Sequence, residues 1–431
     1  MEDDPKAAVA ARYDALFFDL DGVLYRGDQA IAGAAEALAA IGEFGIPRLF
    51  LSNNSSRTPD EVAAKLTGLG FEARPRDVVT SALATASFLE REGQADATAY
   101  VIGEQGIREA LGSVGIQILD GDPARTDLVV IGLDHSVDYG KLRTASLLVE
   151  RGARLVATNA DPSLPAPDGL WPGAGALVAA VAATTGVTPV VIGKPARPMF
   201  EAAAQATGAR RPLVVGDRLD TDIRGADAMG WDSLLVLTGA TRPPDLLTAD
   251  ETPTYVAAGL SALTTAVPPA RFRPAWLEEA DAIEGLLRSA GLSADGVRSR
   301  IPSTMVSASD DLNAGPDATA CLEVVGDRST TEAEAEAEAI LRSVAVRKEH
   351  RRTGLGTLAV ASAVREARRL GLGALTLFTV SASVFFEHLG FRRAARDELP
   401  EAVRTSRHAT EECAQSAVPM RLKLRSRTAQ N

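Results

Sequence analysis

The sequence is poor in several kinds of residue, and each shortage argues against a class of protein. Its 431 residues include only two cysteines, which argues against a disulfide framework and favours a reducing, cytoplasmic location. Lys and Arg number 45 against 57 Asp and Glu, and the resulting charge of −12 argues against a nucleic-acid partner. The most apolar stretch, residues 175–192, is interrupted by threonines and a proline and is too short to span a membrane. We therefore expect a globular protein with no nucleic-acid partner and no membrane partner.

Short apolar runs alternate with alanine-rich helical patterns up to about Val256. The apolar runs cover residues 15–18, 47–51, 128–131, 154–157, 213–215 and 234–237. Strands that are apolar on both faces and separated by helices predict a parallel sheet covered on both sides. Proline pairs at 243–244 and 268–269 then bracket a linker. We predict an α/β domain over residues 1–267 and a smaller domain of helices and strands over residues 268–431.

A pair of carboxylates follows the first apolar run, in the segment DLDGVLY at residues 19–25. Side chains two residues apart in an extended segment point the same way, so Asp19 and Asp21 would lie together at a strand end. Open α/β sheets place their ligands there, and close carboxylates repel each other unless a cation or a shared proton neutralises them. The pair therefore indicates a hard metal ion such as Mg²⁺. An ordinary Asp turn before Gly22 would have the same sequence, so this motif alone leaves both interpretations open.

Three further strand candidates end in polar side chains of other kinds. The segment LSNNSS at residues 51–56 offers a hydroxyl and backbone N–H groups that can bind phosphate, although an ordinary helix N-cap would look the same. The segment GKP at 193–195 places Lys194 at a strand end, and VGDRLDTDI at 215–223 adds three carboxylates. A surface lysine and an acidic capping loop are the alternatives. One such motif can easily occur by chance, but all four in this order at four strand ends do so much less often.

Together these motifs resemble the haloacid dehalogenase (HAD) superfamily of phosphatases, over residues 12–262. The chain is similar to the branch that contains NagD-type nucleotidases, 4-nitrophenylphosphatase and phosphoglycolate phosphatase. The marks of this branch are the segments at 51–55, 158–161, 193–195 and 237–241. The resemblance implies a Rossmann-like core over residues 12–80 and 187–262, with an α/β cap inserted at 81–186. It is also compatible with a homodimer, because phosphatases of this branch often pair through the cap.

The resemblance assigns a role to each motif. Asp19 would attack phosphorus to form an aspartyl-phosphate, Asp21 would act as general acid and base, and Lys194 would neutralise charge on the phosphoryl group. The residues expected to bind substrate are Ser52, Asn53, Asn54, Asn159 and Asp161. Those expected to hold Mg²⁺ are Asp19, Asp21 through its carbonyl, Asp217 and Asp222. A solvated turn before Pro162 is the alternative for the two cap residues, Asn159 and Asp161.

The substrate implied is a small phosphorylated metabolite. Glycerol 3-phosphate, phosphoglycolate, sugar phosphates, nucleoside phosphates and 4-nitrophenyl phosphate are all compatible with the motifs, because the cap sets the choice.

A second set of motifs lies in the C-terminal part. A strand candidate at 340–346 runs into the loop RRTGLG at 351–356 and then into a helix ending near Leu370. Such a loop can present consecutive backbone N–H groups to a pyrophosphate, although a basic solvated turn has the same composition. With SVFFEHLGF at 383–391, the loop resembles motifs A and B of the GNAT acyl-CoA N-acyltransferases, a fold of the α+β class, over residues 271–424. The ArsN-like acetyltransferases are the most similar subgroup that we recognise.

The GNAT resemblance implies acetyl-CoA as a second cofactor. The backbone of Val344 and Val346 would pair with the pantetheine arm. The pyrophosphate would be bound by Arg351, Arg352, Thr353, Gly354, Leu355 and Gly356.

One departure from the GNAT pattern concerns the catalytic acid. Many GNAT enzymes have a tyrosine that protonates the departing thiolate, whereas this sequence has Phe386. His388 and Cys413 are candidate replacements and Glu323 is a candidate base, each with an ordinary structural interpretation beside it. Three hypotheses follow for this domain. It appends an acyl-CoA-binding module to the phosphatase, it N-acetylates a small amine acceptor, or it senses CoA and regulates the phosphatase without turnover.

Overall fold

The structure is a computed structural model that describes residues 8–166, 168–267, 271–307, 315–325, 338–410 and 416–424. These residues form two compact units, one of residues 8–240 and 259–265 and the other of residues 241–258 and 266 onward. The domain boundary at 267 stays a prediction, since this division places 241–258 with the C-terminal unit. Cys413 lies outside the described residues.

The first unit is built of strands and helices in alternation. Its strands are β1 (Ala15–Asp19), β2 (Tyr25–Arg26), β3 (Gln29–Ala30), β4 (Arg48–Ser52), β5 (Val78–Thr80), β6 (Thr98–Ile102), β7 (Gln117–Leu119), β8 (Leu128–Ile131), β9 (Arg154–Ala157), β10 (Ser163–Ala166), β11 (Gly169–Pro172), β12 (Val190–Val191), β13 (Pro212–Gly216) and β14 (Asp232–Val236). Its α-helices are α1 (Ala34–Gly42), α2 (Pro59–Gly68), α3 (Ser81–Arg91), α4 (Gln105–Ser113), α5 (Tyr139–Glu150), α6 (Ala174–Thr185), α7 (Arg197–Thr207) and α8 (Arg224–Met229).

The central sheet of this unit has the strand order β14-β13-β1-β4-β5, and each neighbouring pair is parallel. Its middle strand is apolar on both faces, and Phe17 and Phe18 are completely buried. Because the strands are parallel, the carboxyl ends of β1, β4 and β13 meet at one edge of the sheet. The loops that follow these strands therefore share one site.

A second parallel sheet forms the cap, with the order β12-β9-β8-β6-β7. Strand β12 lies in the range predicted for the returning core, yet it pairs with the cap strand β9. The antiparallel hairpin β10–β11 projects beside this sheet and pairs Leu164 with Trp171. The α/β class with parallel sheets, predicted from the sequence, is confirmed.

The second unit contains a mainly antiparallel sheet. Its strands are β15 (Tyr255–Ala257), β16 (Phe272–Pro274), β17 (Thr304–Ser307), β18 (Ala318–Val325), β19 (Glu338–Val346), β20 (Ala374–Thr379), β21 (Arg392–Arg393) and β22 (Val418–Lys423). Its α-helices are α9 (Ala280–Ser289), α10 (Val297–Arg300), α11 (Leu355–Arg369), α12 (Ser383–His388), α13 (Glu401–Arg404) and α14 (Arg407–Thr410). The sheet order is β16-β17-β18-β19-β20-β22-β21, and β19–β20 is its parallel pair. The α+β fold predicted for this part is confirmed.

Strands β19 and β20 separate along their length. They pair from Glu338 with Ala374 to Ile340 with Thr376, although β19 continues to Val346. Near the point of separation, Ser343 has a left-handed φ of 55° and the register with β18 shifts. The strands thus open a cleft beyond residue 340. Among the helices that the structure describes, all are too short or too polar to cross a bilayer.

Candidate active site

The carboxyl edge of the central sheet brings the predicted charged residues together. Asp19 ends β1, Asp217 follows β13, and Asp222 lies in the turn that leads into α8. Each can offer a carboxylate oxygen, and these oxygens lie within 4.8 Å of one another. One oxygen of Asp217, Oδ1, is buried and has no hydrogen-bond partner among the described residues. A buried carboxylate oxygen without a partner fits a hard cation such as Mg²⁺, which takes oxygen ligands.

Lys194 lies between two of these carboxylates. Its Nζ donates to Asp19 and, at 2.7 Å, to Oδ1 of Asp222. The lysine side chain is only 3% exposed, so both ion pairs are shielded from water. Burial alone would lower the pKa of Lys194, but Asp19 and Asp222 outweigh burial and raise it. The lysine is therefore a permanent positive charge at the edge of the sheet.

The carboxylates remain crowded in spite of this lysine. Burial raises the pKa of Asp19 to about 8, with Asp222 and Asp217 adding to the rise and Lys194 opposing it. Burial and the charge of Asp222 raise the pKa of Asp217 to about 6. One ammonium group is thus too little positive charge for the cluster, and a divalent cation would supply the rest. The donor set fits the predicted metal.

Asp21 lies on the solvent side of the same loop, and its side chain is not among the clustered carboxylates. Partial loss of water around it raises its pKa, while Lys65 and Arg26 oppose the rise. The following residue, Gly22, has a φ of 82°, and a Cβ there would collide with Asp217. This close approach holds the Asp21 backbone next to the clustered carboxylates. A carboxyl group with a raised pKa at such a position suits a general acid.

The segment after β4 forms a compact turn. Ser52 Oγ accepts from the N–H of Asn54 at 3.2 Å, and Asn54 Oδ1 accepts from the N–H and hydroxyl of Ser56 at 2.7 Å. Helix α2 is capped by Thr58 and Glu61, which exchange hydrogen bonds. The N-cap of α2 is therefore Thr58 and not a residue of the Ser52 turn, which remains available for phosphate.

The cap residues Asn159 and Asp161 contact this turn. Asn159 Nδ2 donates to the carbonyl of Asn53 at 2.7 Å, and Asn53 Nδ2 donates to Asp161 at 2.9 Å. Asn159 is buried and Asp161 is half-buried, so neither lies in a solvated turn. Each predicted residue of the phosphatase site thus lies at or beside one edge of the sheet. Their roles stay predictions.

Sequence reasoning missed three supporting residues. Arg218 lies 3.5 Å from Asp161 and makes two hydrogen bonds to Asp220, the first cause of its raised pKa. The hydroxyl of Thr238 donates to the carbonyl of Gly22 at 2.7 Å, and Ala240 N–H donates to Asp217 at 2.5 Å. These residues lie in motifs that resemble the family, but only the fold shows which atoms they contact.

The cap adds a row of side chains that the sequence did not mark. The carboxyl edge of the cap sheet contacts the Ser52 turn (residues 52–56), where Gly106 N–H, in the first turn of α4, donates to the carbonyl of Ser56 at 2.9 Å. At the same edge, Glu104 accepts from His135 at 2.6 Å, and the His135 and Trp171 rings lie 6.2 Å apart. His135 and Trp171 are isolated in the sequence and form no motif with regular spacing, so their contact could not be predicted.

In the C-terminal unit, the backbone conformation of the residues predicted to bind acetyl-CoA is unusual at two places. Val344 and Val346 lie on β19 beyond the point where it leaves β20. In the loop before α11, Arg352 and Gly354 have φ values of 66° and 83°. A left-handed non-glycine residue costs of the order of 1 kcal/mol, and such turns gather N–H groups around an anion. A Cβ at Gly354 would also collide with the backbone carbonyl of Val256, so packing requires this glycine as well.

The candidate acid and base residues that the structure describes, His388 and Glu323, already contact other groups. Phe386 is buried, with its ring centre 5.0 Å from that of Phe385 and 5.5 Å from that of Phe391. Glu323 accepts from Arg342 at 2.7 Å. His388 lies on the surface with Nδ1 2.7 Å from the carbonyl of Val384. Phe386 has no proton to give, so the usual catalytic acid is missing at this position.

Known proteins are similar to both units of this chain. The family model of haloacid dehalogenase-like hydrolases matches residues 16–117, the HAD-hydrolase-like model matches 191–263, and the acetyltransferase (GNAT) domain model matches 313–393. The acid sugar phosphatase of Staphylococcus haemolyticus is 41% identical over 245 residues, which are 56% of this chain and 92% of that protein. The D-glycerol 3-phosphate phosphatase of Mycobacterium tuberculosis is 40% identical over 258 residues, which are 59% of this chain and 72% of that protein.

A solved structure extends the likeness to most of the chain. The glycerol phosphate phosphatase of Mycobacterium tuberculosis in complex with magnesium has a TM-score of 0.64 and 32% identity, covering 84% of this chain and 93% of that chain. The chain therefore belongs to the haloacid dehalogenase-like hydrolases. It is a phosphomonoester hydrolase of the NagD branch with a GNAT domain at its C-terminal side.

Proposed function

We propose that the first unit is a Mg²⁺-dependent phosphatase of small phosphomonoesters that works through an aspartyl-phosphate. The observation that carries the proposal is the buried contact of Lys194 with Asp19 and Asp222, beside an Asp217 oxygen that lacks a partner among the described residues. A lysine and a cation together offset phosphoryl charge, which is most of what phosphoryl transfer requires.

The chemistry then follows from the residues of the chain. An Asp19 oxygen attacks phosphorus as the bond from phosphorus to the leaving oxygen breaks, and Asp21 gives its proton to that oxygen. A water then attacks the aspartyl-phosphate, Asp21 takes the proton, and phosphate leaves with Asp19 restored. Ser52 and the backbone N–H groups of its turn hold the phosphate oxygens. Mg²⁺, held by Asp19, the carbonyl of Asp21, Asp217 and Asp222, would supply positive charge to the phosphoryl oxygens.

The substrate class that we propose is a phosphate ester of a neutral hydroxylated compound, such as glycerol 3-phosphate or a sugar phosphate. The names of the relatives support this choice, and so does the cap edge. Glu104 and His135 offer polar groups and Trp171 offers an aromatic face, while Glu104 would repel a second anionic group. Phosphoglycolate carries such a group and is expected to react less well.

Phosphate release across a panel of esters tests this proposal. Glycerol 3-phosphate, glucose 6-phosphate, phosphoglycolate, a nucleoside monophosphate and 4-nitrophenyl phosphate are compared with and without Mg²⁺. The expected result is Mg²⁺-dependent release with kcat/KM highest for the first two esters. Equal turnover in EDTA would contradict the metal role, and a preference for phosphoglycolate would contradict the substrate class.

For the C-terminal unit we propose acyl-CoA binding in the cleft between β19 and β20. The separation of these strands and the left-handed turn at Arg352 support it. The buried Phe386 and the paired Glu323 favour a binding module over an N-acetyltransferase of a small amine. Calorimetric titration with acetyl-CoA tests binding. CoA release with any amine of a panel would favour the enzyme, and a change in phosphate release on adding acetyl-CoA would favour a sensor.

We also propose the domain limits given above, a homodimer formed through the cap, and a cytoplasmic location. The composition and the family resemblance support these points. Sedimentation of the full chain tests the dimer, and a monomer at micromolar concentration would contradict it.

A further inference from the structure

The side chain of Asn53 is bonded to the backbone of Lys194 on both sides. Asn53 Oδ1 accepts from the N–H of Lys194 at 2.8 Å, and Asn53 Nδ2 donates to the carbonyl of Lys194 at 3.0 Å. Two residues that exchange both backbone bonds in a sheet hold each other in the same manner. The amide therefore fixes the main chain from which the lysine extends to Asp19 and Asp222.

The second proton of the same amide joins the core to the cap. Asn53 Nδ2 donates to Oδ2 of Asp161 at 2.9 Å, while Oδ1 of Asp161 faces Arg218 at 3.5 Å. Arg218 is itself held by Asp220 through bonds of 3.0 and 2.8 Å. A primary amide has two N–H donors, and both are used here inside the protein. Neither of them is left for a substrate.

The carbonyl of Asn53 is occupied as well. It accepts from Ser81 Oγ at 2.6 Å and from Asn159 Nδ2 at 2.7 Å. Ser81 begins α3, and Asn159 follows the cap strand β9, so the carbonyl ties the turn to both elements. The backbone N–H of Asn53 is the part of this residue that can serve the phosphate.

We propose that Asn53 and Asp161 are positioning residues rather than substrate contacts. Asn53 sets the main chain of Lys194, and Asp161 holds Asn53 in place when the cap is seated on the core. The position of the catalytic lysine thus depends on a carboxylate of the cap. The proposal presupposes phosphatase activity, which is measured first on the unchanged protein, so that failure of the activity and failure of the proposal are distinguishable.

The test uses two variants and three phosphorylated substrates with different leaving groups. Asn53→Ala and Asp161→Ala are assayed with acetyl phosphate, 4-nitrophenyl phosphate and glucose 6-phosphate. A residue that acts through Lys194 lowers kcat by the same factor for all three, about 100-fold for Asn53→Ala and about 10-fold for Asp161→Ala. A residue that binds the leaving group lowers kcat/KM for the sugar ester and spares acetyl phosphate. The second pattern would overturn the proposal.

A double variant tests the link between the two residues. If Asp161 acts through Asn53, the pair Asn53→Ala with Asp161→Ala has the kcat of Asn53→Ala alone, since the link is already broken. Multiplication of the two losses would overturn the link. If Asn53→Ala does not fold, the comparison of the three substrates with Asp161→Ala decides the matter by itself.

Asp127→Ala is the matched control for a general loss of stability. Asp127 is also a cap carboxylate with hydrogen bonds to a neighbouring strand, to the N–H and hydroxyl of Thr98 at 2.8 and 2.7 Å. It lies at the amino end of β8, away from the edge that contacts the Ser52 turn. Melting temperatures of the variants are compared. A loss of kcat in Asp127→Ala equal to that in Asp161→Ala would show a merely structural effect and overturn the proposal.

Discussion

The two units carry candidate sites of opposite construction. In the first unit the charged residues contact one another: Lys194 meets two carboxylates, and Asn53 and Asp161 hold the surrounding loops. In the C-terminal unit the candidate site is an open strand pair and a turn whose arginines, Arg351 and Arg352, are exposed. When the residues of a site contact one another, their arrangement can be checked in the absence of the ligand. When a site consists of backbone groups, its contacts form only after the ligand binds.

The strongest test of this contrast replaces Asp19, the proposed nucleophile. Asp19→Asn is expected to lower Mg²⁺-dependent phosphate release by at least about 1,000-fold, because an amide does not form the aspartyl-phosphate. Release from 4-nitrophenyl phosphate measures the loss, and circular dichroism shows whether the fold is kept. Near-normal turnover in a folded variant would contradict the nucleophile assignment.

Removal of the lysine is expected to have the next largest effect. Lys194→Met leaves Asp19 and Asp222 buried without their partner, and breaking a buried ion pair in this way costs about 3–5 kcal/mol. The free energy of unfolding, measured in urea without metal, should fall by that order and recover in part with Mg²⁺. An unchanged unfolding midpoint would mean that the carboxylates are already neutralised by protons.

The stabilisation by Mg²⁺ should itself depend on pH. Without metal, the pKa values of about 8 for Asp19 and about 6 for Asp217 lie above the ordinary 3.8, so the folded protein binds these protons more tightly than the unfolded chain. Their contribution to stability is complete below pH of about 4 and is lost as the pH rises through about 6 and about 8. Mg²⁺ competes with the protons, so the rise in melting temperature on adding Mg²⁺ should be greater near pH 9 than near pH 5. Equal rises at both would contradict this.

The smallest expected effect concerns the second unit. The double substitution Arg351→Ala, Arg352→Ala should weaken acetyl-CoA binding by about tenfold, because charge-assisted hydrogen bonds to a pyrophosphate are lost. Calorimetry measures the affinity, and phosphate release serves as the internal control for folding. Unchanged affinity would mean that these arginines do not bind the pyrophosphate. The C-terminal loop would then resemble a cofactor site without acting as one.

The strand ends of the first unit could be predicted from the sequence because apolar runs and polar ends are local patterns. Strands at 128–131 and 154–157 lie where the sequence predicts them. Asp19 and Asp217 meet because β1 and β13 are parallel neighbours whose carboxyl ends lie together. The pairing of β12 with the cap could not be predicted, since a two-residue strand carries no signal of its partner.

The supporting contacts could not be predicted either. Asn53 binds residues 108 and 141 positions away in the chain, and such pairs depend on the packed fold. In the C-terminal unit, the Gly-rich loop predicted the turn before α11, whereas the left-handed φ of Ser343 and Arg352 lies at residue types that do not favour it.

The places where the chain passes between core and cap have a consequence for how such an enzyme can change in evolution. Ser81, which follows the core strand β5, donates to the Asn53 carbonyl, and Gly193 N–H, which follows the cap strand β12, donates to the carbonyl of Thr158 at 2.8 Å. Both passages lie beside the Ser52 turn, and the order β13-β1-β4 is continuous in the central sheet. A lineage could exchange the whole inserted segment at these two points, and so acquire another substrate while inheriting the same chemistry.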